Sequence, residues 1–164
     1  MVAHRVRIAL RWSDMDAYGH VNNVEFLRLL EEARVRALHE WAPEARACLV
    51  EGALLVADAR IEYLAPLTFR PSPVPIDIWV TDVRPASFRF CYEVLDGETP
   101  TVETPAVETG AGKPPPQASP DTVCARAETT MVLFDLRAGR PRRMTEEERL
   151  GLRARLGTPV TFKR

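Results

Sequence analysis

The stretch Arg11-Trp-Ser-Asp-Met-Asp-Ala-Tyr-Gly-His-Val-Asn-Asn-Val-Glu-Phe26, running on into Leu-Arg-Leu-Leu-Glu-Glu-Ala-Arg34, joins two periodicities. Before it, Val6, Ile8 and Leu10 alternate, so His4 to Trp12 reads as a strand. Within it, Ser13 to Asn23 carries Ser, Asp, Gly and Asn and reads as a loop. After it, Phe26, Leu30, Ala33, Ala37 and Trp41 recur at steps of three and four, with Leu27, Leu29 and Leu38 beside them. That spacing predicts a helix. Asn22 or Asn23 can cap it, Glu25 suits its positive first turn, and Pro43 marks its end. Glu32 and Arg36 stand four apart in the favourable order for an ion pair, whereas Glu31 reads as a surface residue. The apolar stripe is wide, as expected for a helix largely wrapped by other structure.

Downstream, the period becomes that of strands. Ala53 to Leu64 forms one long run, interrupted by Pro66, and Arg70 to Pro75 is a proline-rich turn region. Ile76 to Val83 and Phe88 to Leu95 predict a hairpin about Arg84–Ser87. Residues 96–121 hold six prolines and almost no large apolar side chain, and read as a flexible excursion inside the domain. Val123 to Leu136 resumes as a strand. Thr145 to Leu156 reads as a short helix, with Thr145 and Glu148 placed as a capping box. Strand, buried helix, then successive strands give an α+β class: an antiparallel sheet on one long helix, within a single domain spanning 1–164. One helix leaves part of such a sheet uncovered, and pairing with a second copy is a natural remedy.

Composition narrows the function. Lys+Arg and Asp+Glu nearly cancel at a formal net charge of −1, and aromatics make up 7%. Neither favours a nucleic-acid partner. No apolar run reaches the roughly 20 residues of a membrane helix, and the first residues lack a signal-peptide pattern. Cys48, Cys91 and Cys124 are odd in number and have no metal-ligand spacing. Reduced thiols and a cytoplasmic location are the expectation.

The chemistry-bearing residues cluster in the opening stretch, just ahead of a helix N-terminus. Unsatisfied N–H groups and the positive helix end stabilise developing negative charge there. Backbone N–H groups around Asn22 and Asn23 could hold an oxyanion. Asp16 could activate water or attack directly, and His20 could orient either. From spacing alone the plainer readings stay open: Asp14 and Asp16 as turn formers, His20 as a loop residue beside Gly19, Asn22 and Asn23 as caps.

The block Asp16-Ala-Tyr-Gly-His-Val-Asn-Asn23, followed by Phe26 to Arg34, resembles the 4-hydroxybenzoyl-CoA thioesterase and acyl-CoA thioesterase branch of hotdog-fold proteins. It is also similar to the acyl-ACP thioesterases, which share D-x-x-x-H-V-N-N before the helix. Later echoes are Leu64-Ala-Pro-Leu67, Arg84-Pro-Ala-Ser-Phe88 and Arg126-Ala-Glu128. The resemblance implies a hotdog fold, with the sheet wrapped around one central helix, and hydrolysis of an acyl-CoA to a carboxylic acid and free CoA. It implies Asp16 as catalytic carboxylate, the Asn23 N–H as donor to the thioester carbonyl, and His20 at the histidine of the acyl-ACP branch. Tyr18 departs from that branch, which has Asn there. Arg84 and Ser87 match a turn that touches the nucleotide end of CoA, and Arg126 is a further candidate for the phosphates. Tyr18, Gly19, Asn22 and Phe26 complete the expected substrate contacts. CoA enters only as part of the substrate, so no separate cofactor and no metal is expected. A homodimer or homotetramer is. Two alternatives share the fold: a non-catalytic acyl-CoA-binding protein, and an enoyl-CoA hydratase or dehydratase. The latter usually places Asn and Pro beside its Asp and His, and both are missing here.

Overall fold

The structure, a computed structural model, describes residues 3–41, 53–97 and 122–163. The elements are β1 (His4–Ile8), a 3-10 turn (Trp12–Asp14), α1 (Asn23–Trp41), β2 (Ala53–Tyr63), β3 (Val74–Thr81), β4 (Ser87–Asp96), β5 (Thr122–Asp135), β6 (Arg140–Pro141) and α2 (Glu146–Arg153). The class is α+β. One antiparallel sheet has the order β1-β3-β4-β5-β2, and β6 pairs with β5. Each expected strand is present, with ends shifted by up to four residues. Most of that shift falls on β1, because Trp12 belongs to the turn that leads into the loop.

Pleating puts alternate residues on opposite faces. Phe88, Phe90, Tyr92 and Val94 of β4, with Ile76, Ile78 and Val80 of β3, share one buried cluster with Leu29, Leu30, Ala33 and Ala37 of α1. The stripe read from sequence is therefore the packed face of α1, except that Leu27 is exposed. Asn22 is the cap, since its Oδ1 accepts from the Val24 N–H (3.2 Å) and its carbonyl from the Glu25 N–H (2.9 Å). The expected stop at Pro43, the thiol of Cys48 and residues 98–121 lie outside the described residues. The Glu32–Arg36 pair is not formed. Glu32 accepts from Arg28 (2.6 Å) and Arg11 (3.2 Å), whereas Arg36 donates to the Arg7 carbonyl. Arg28, one turn nearer the helix start, faces the loop and its carboxylates, and this draws Glu32 towards it.

The second face of the sheet is covered at β3, whereas Leu55 to Arg60 of β2 stay exposed on both faces, as expected for a sheet that one helix covers in part. β3 is buried on both faces because the C-terminal segment crosses over it. Leu156 bridges Val80 in parallel, alongside β3 where β1 has ended. The Trp79 indole N–H donates to the Thr158 carbonyl (2.7 Å), and the Arg60 guanidinium stacks on the Phe162 ring at 4.1 Å. The Lys163 N–H reaches Glu62 Oε1 at 2.8 Å. The Thr145–Glu148 capping box forms as expected and starts the helix that delivers this strap. Gly157 is where the strap turns tightly over Trp79: a Cβ there would sit 2.4 Å from the indole Cδ1. Overpacking of this kind costs about 1–3 kcal/mol. Gly157→Ala is therefore expected to lower the urea unfolding midpoint by a corresponding amount. An unchanged midpoint would show that the strap is not seated on Trp79.

Candidate functional site

Residues 14–22 form a miniature hairpin. Its base is closed by the Asn22 N–H donating to the Asp14 carbonyl (2.8 Å), and its middle by the Met15–Val21 bridge. Its tip is organised by Asp16. The Asp16 N–H donates to the His20 carbonyl (2.8 Å), and the Gly19 N–H donates to the Asp16 carbonyl (3.2 Å). Asp16 Oδ1 accepts the N–H groups of Tyr18 (2.8 Å) and His20 (3.0 Å). Gly19 has φ +78°, a conformation that glycine adopts without strain. The turn-forming reading of Asp16 is thus correct as far as it goes, but it uses only one carboxylate oxygen. Oδ2 has no hydrogen-bond partner among the described residues.

The N–H donated by His20 is the main cause holding the Asp16 carboxyl below its ordinary pKa. Partial burial opposes it, and the Tyr18 N–H and the His20 ring add to the lowering. The group is therefore a fixed anion at neutral pH, held by its own turn.

Asp16, His20 and Asn23 line one cavity of about 300 Å³. Its apolar wall is Val21, Phe26 and the segment Tyr63 to Leu67. The hairpin is docked on that segment through the Val21 N–H to the Leu67 carbonyl (2.7 Å) and a His20–Thr68 bridge. The Tyr63 hydroxyl donates to the Asn23 carbonyl (3.0 Å), and its ring meets Phe26 edge-on at 5.3 Å. Burial raises the Tyr63 phenol pKa, so the hydroxyl stays a donor. Among the described residues nothing accepts the Asn23 N–H. Asp16, with one carboxylate oxygen not used by its turn, and Asn23, with an unused helix-terminal N–H, thus line one small open pocket whose surface mixes polar and apolar groups. Such an arrangement can polarise a carbonyl and deliver a nucleophile to it.

The structure sorts the expected site residues into two groups. Asp16, His20, Asn23 and Phe26 come together at the cavity. Gly19 shapes the hairpin and Asn22 caps the helix. Tyr18 is 84% exposed and is not part of the cavity wall. Arg84, Ser87 and Arg126 do not line the cavity either. Arg84 is exposed, donates to the Asp82 carboxylate through both Nε (3.1 Å) and Nη2 (3.0 Å), and closes its turn through its N–H to the Ser87 carbonyl (2.8 Å). Arg126 is paired with Glu93 (3.0 Å) on the sheet face away from α1. Tyr63 pairs with Ala125 and Ser87 with Val132, places roughly 23 Å apart along β5 at about 3.3 Å per residue. Val21 and the segment Tyr63 to Leu67 are cavity residues that sequence reading did not assign to the site, and Tyr63 is the one among them with a polar side-chain group. It ends a strand just before the Leu64-Ala-Pro-Leu67 echo, and that echo was the available signal. Among the described residues no group of three or more His, Cys, Asp or Glu side chains is placed to hold a metal ion.

Comparison with known proteins agrees with this architecture. The chain is similar over nearly its whole length to a thioesterase from Thermus thermophilus solved with coenzyme A and Zn: 27% identity, 95% of this chain and 96% of that one, TM-score 0.66. The PA5185 protein of Pseudomonas aeruginosa strain PAO1 shares the fold at 23% identity, covering 96% and 94% of the two chains, TM-score 0.69. So does YbaW, a probable thioesterase from Escherichia coli, at 21% identity, 93% and 98% coverage, TM-score 0.66. No curated protein matches the chain. The family model of the thioesterase-like superfamily matches residues 10–156, a span that holds the Asp16 hairpin, α1 and the whole cavity wall. With a match of that extent the chain belongs to the thioesterase-like superfamily, whose structural neighbours are thioesterases of the hotdog fold.

Proposed function

We propose that the protein is an acyl-CoA thioesterase, with Asp16 as catalytic carboxylate and the Asn23 N–H as oxyanion donor. The observation that carries this reading is the convergence of Asp16 and Asn23 on one cavity that Phe26 and Tyr63 also line. The acyl group would lie against Phe26 and Tyr63 and along α1, read here as the central helix of a single hotdog domain, with the thioester carbonyl at the helix tip. Oδ2, free of the turn, is the reacting oxygen. As general base it takes a proton from water while the water oxygen attacks the carbonyl carbon. The oxyanion gathers at the Asn23 N–H, then collapses and expels CoA as thiolate, which takes up a proton. As nucleophile, Oδ2 would instead form a mixed anhydride, releasing CoA before water enters. Single turnover in oxygen-18 water tests for the second route: label in Asp16 arises only when water attacks the Asp16 carbonyl of the anhydride, and general-base hydrolysis puts none there. Water is the one co-reactant either route needs, and neither calls for a separate cofactor. His20 orients the water or the acyl carbonyl.

The reading is tested by thiol release from a panel of short, long and aromatic acyl-CoAs. Hydrolysis above buffer for at least one class is expected. Binding without turnover would favour the non-catalytic alternative, and hydration of crotonyl-CoA would favour the hydratase. Among the described residues no helix is long and apolar enough to cross a membrane, and Cys91 and Cys124 are free thiols. Both accord with the cytoplasm, where we place the enzyme.

We further read the protein as a homodimer or homotetramer. β2 is an 11-residue strand at the sheet edge, its outer side without a strand partner among the described residues, and Val56 is 52% exposed. Exposed edges of this length invite pairing with another chain. The separation of the Arg84 turn from the cavity within one chain suggests that Arg84 and Ser87 serve the CoA nucleotide in a second copy's site. Arg126 is a lesser candidate while Glu93 holds it. Light scattering on the purified protein should give at least twice the chain mass. A monomer at micromolar concentration would exclude both the assembly and the shared site.

A further inference from the structure

Asp14 carries a carboxyl side chain, is 1% exposed, and lies two residues before the proposed catalytic carboxylate. Burying a carboxylate is costly unless it is paired and hydrogen-bonded, and even a well-made buried pair is seldom the most stable choice for the space it occupies. Its hydrogen bonds show what it does instead. Asp14 Oδ2 accepts the Arg11 N–H (2.7 Å) and Arg28 Nη2 (2.5 Å), while its carbonyl accepts the N–H of the cap residue Asn22 (2.8 Å). One residue thus ties both ends of the hairpin to each other and to the second turn of α1. Arg28 is fixed in turn by Glu25 (2.9 Å) and Glu32 (2.6 Å), from its own helix. These partners use the guanidinium on three sides, a geometry that lysine cannot reproduce.

We propose that Asp14 and Arg28 form a positioning pair that holds the Asp16 hairpin in register with the N-terminus of α1. The pair thereby sets the gap between Asp16 and the Asn23 N–H. It touches no substrate. It acts through the hairpin base, whose geometry fixes where the tip lies. The inference rests on the thioesterase reading, because only there does the gap have a chemical use. A displacement of about 1 Å between reacting groups can cost about 100-fold in rate.

The test compares Asp14→Asn, Arg28→Gln and the double variant Asp14→Asn/Arg28→Gln with the native chain. Each keeps hydrogen-bonding capacity at the position while removing the ionic fork. The expected result is kcat lower by about 100-fold in both single variants, with KM within threefold. The double variant should be no worse than either single one, as for two groups that act as a unit. Amide exchange at Tyr18 and His20, read by NMR, should speed up at least tenfold in Asp14→Asn, because the bonds at the hairpin tip depend on its base. A variant that melts earlier yet keeps native kcat at a temperature where it is folded would overturn the proposal and leave Asp14 a stability residue. Unchanged exchange at Tyr18 and His20 would overturn it too, and needs no activity. Absence of turnover in the native chain would instead remove the thioesterase reading, so the two failures are distinguishable.

Discussion

Replacing Asp16 by asparagine should leave a folded protein that has lost about 1,000-fold in kcat for acyl-CoA hydrolysis. The fold survives because the asparagine carbonyl can accept the Tyr18 and His20 N–H groups as Asp16 Oδ1 does, so the turn keeps its bonds. The rate falls because Oδ2 becomes an amide nitrogen, which neither removes a proton from water nor attacks a carbonyl. Loss of a positioned base costs about 100- to 10,000-fold. A loss below tenfold in a variant of native melting temperature would shift the chemistry away from Asp16. The pH dependence has a definite sign. The folded-state pKa is lowered, chiefly by the His20 N–H, so the charged form favours the fold above the unfolded carboxyl value of about 3.9. That contribution fades as pH falls through the lowered value. The acid limb of kcat/KM in the native enzyme should accordingly lie below about pH 4, provided the fold persists there, and should vanish in Asp16→Asn.

The second large effect is on stability. Phe90 lies on β4, the middle strand of the five in line, and is fully buried. Its ring sits 4.9 Å from that of Phe88, 5.8 Å from Trp41 and 6.1 Å from Tyr92, centroid to centroid. It therefore links the sheet to the far end of α1. Phe90→Ala should cost about 3–5 kcal/mol, as truncation of a buried aromatic does when neighbours cannot close the void. For a chain of this size that lowers Tm by roughly 6–20 °C. Phe90 does not line the cavity, so kcat at low temperature should stay within a few-fold of native. A Tm drop under 3 °C would mean that the void closes. The contrast with Asp16→Asn, which takes rate and spares stability, separates the scaffold from the site it carries.

Much of this molecule is written in local pattern. Steps of three and four from Phe26 to Trp41, and alternation in β3, β4 and β5, specify elements whose buried faces meet in one core. Thr145 and Glu148 specify a capping box through their own side chains. What lies beyond such patterns is tertiary. The strap over Trp79 is missed because Leu156 to Lys163 has no period of its own, and its bonds go to strands some 80 to 100 residues earlier in the chain. Glu32 is assigned the wrong arginine because the rule for helix neighbours does not see Asp14 arriving from the loop. At the site, Asp16, His20 and Asn23 are legible as a cluster because one hairpin and one cap bring them together within eight residues. Tyr63 is less so, since it reaches the cavity from the far edge strand and the Leu64-Ala-Pro-Leu67 echo beside it is the one local hint.

The most direct measurement of the central claim is a crystal structure with an acyl-CoA analogue in which a methylene replaces the thioester sulfur. The ketone oxygen should lie about 2.7–3.1 Å from the Asn23 nitrogen, with the carbonyl carbon facing Asp16 Oδ2 and the acyl group against Phe26 and Tyr63. An analogue bound elsewhere, or with its carbonyl turned away from the start of α1, would contradict the account.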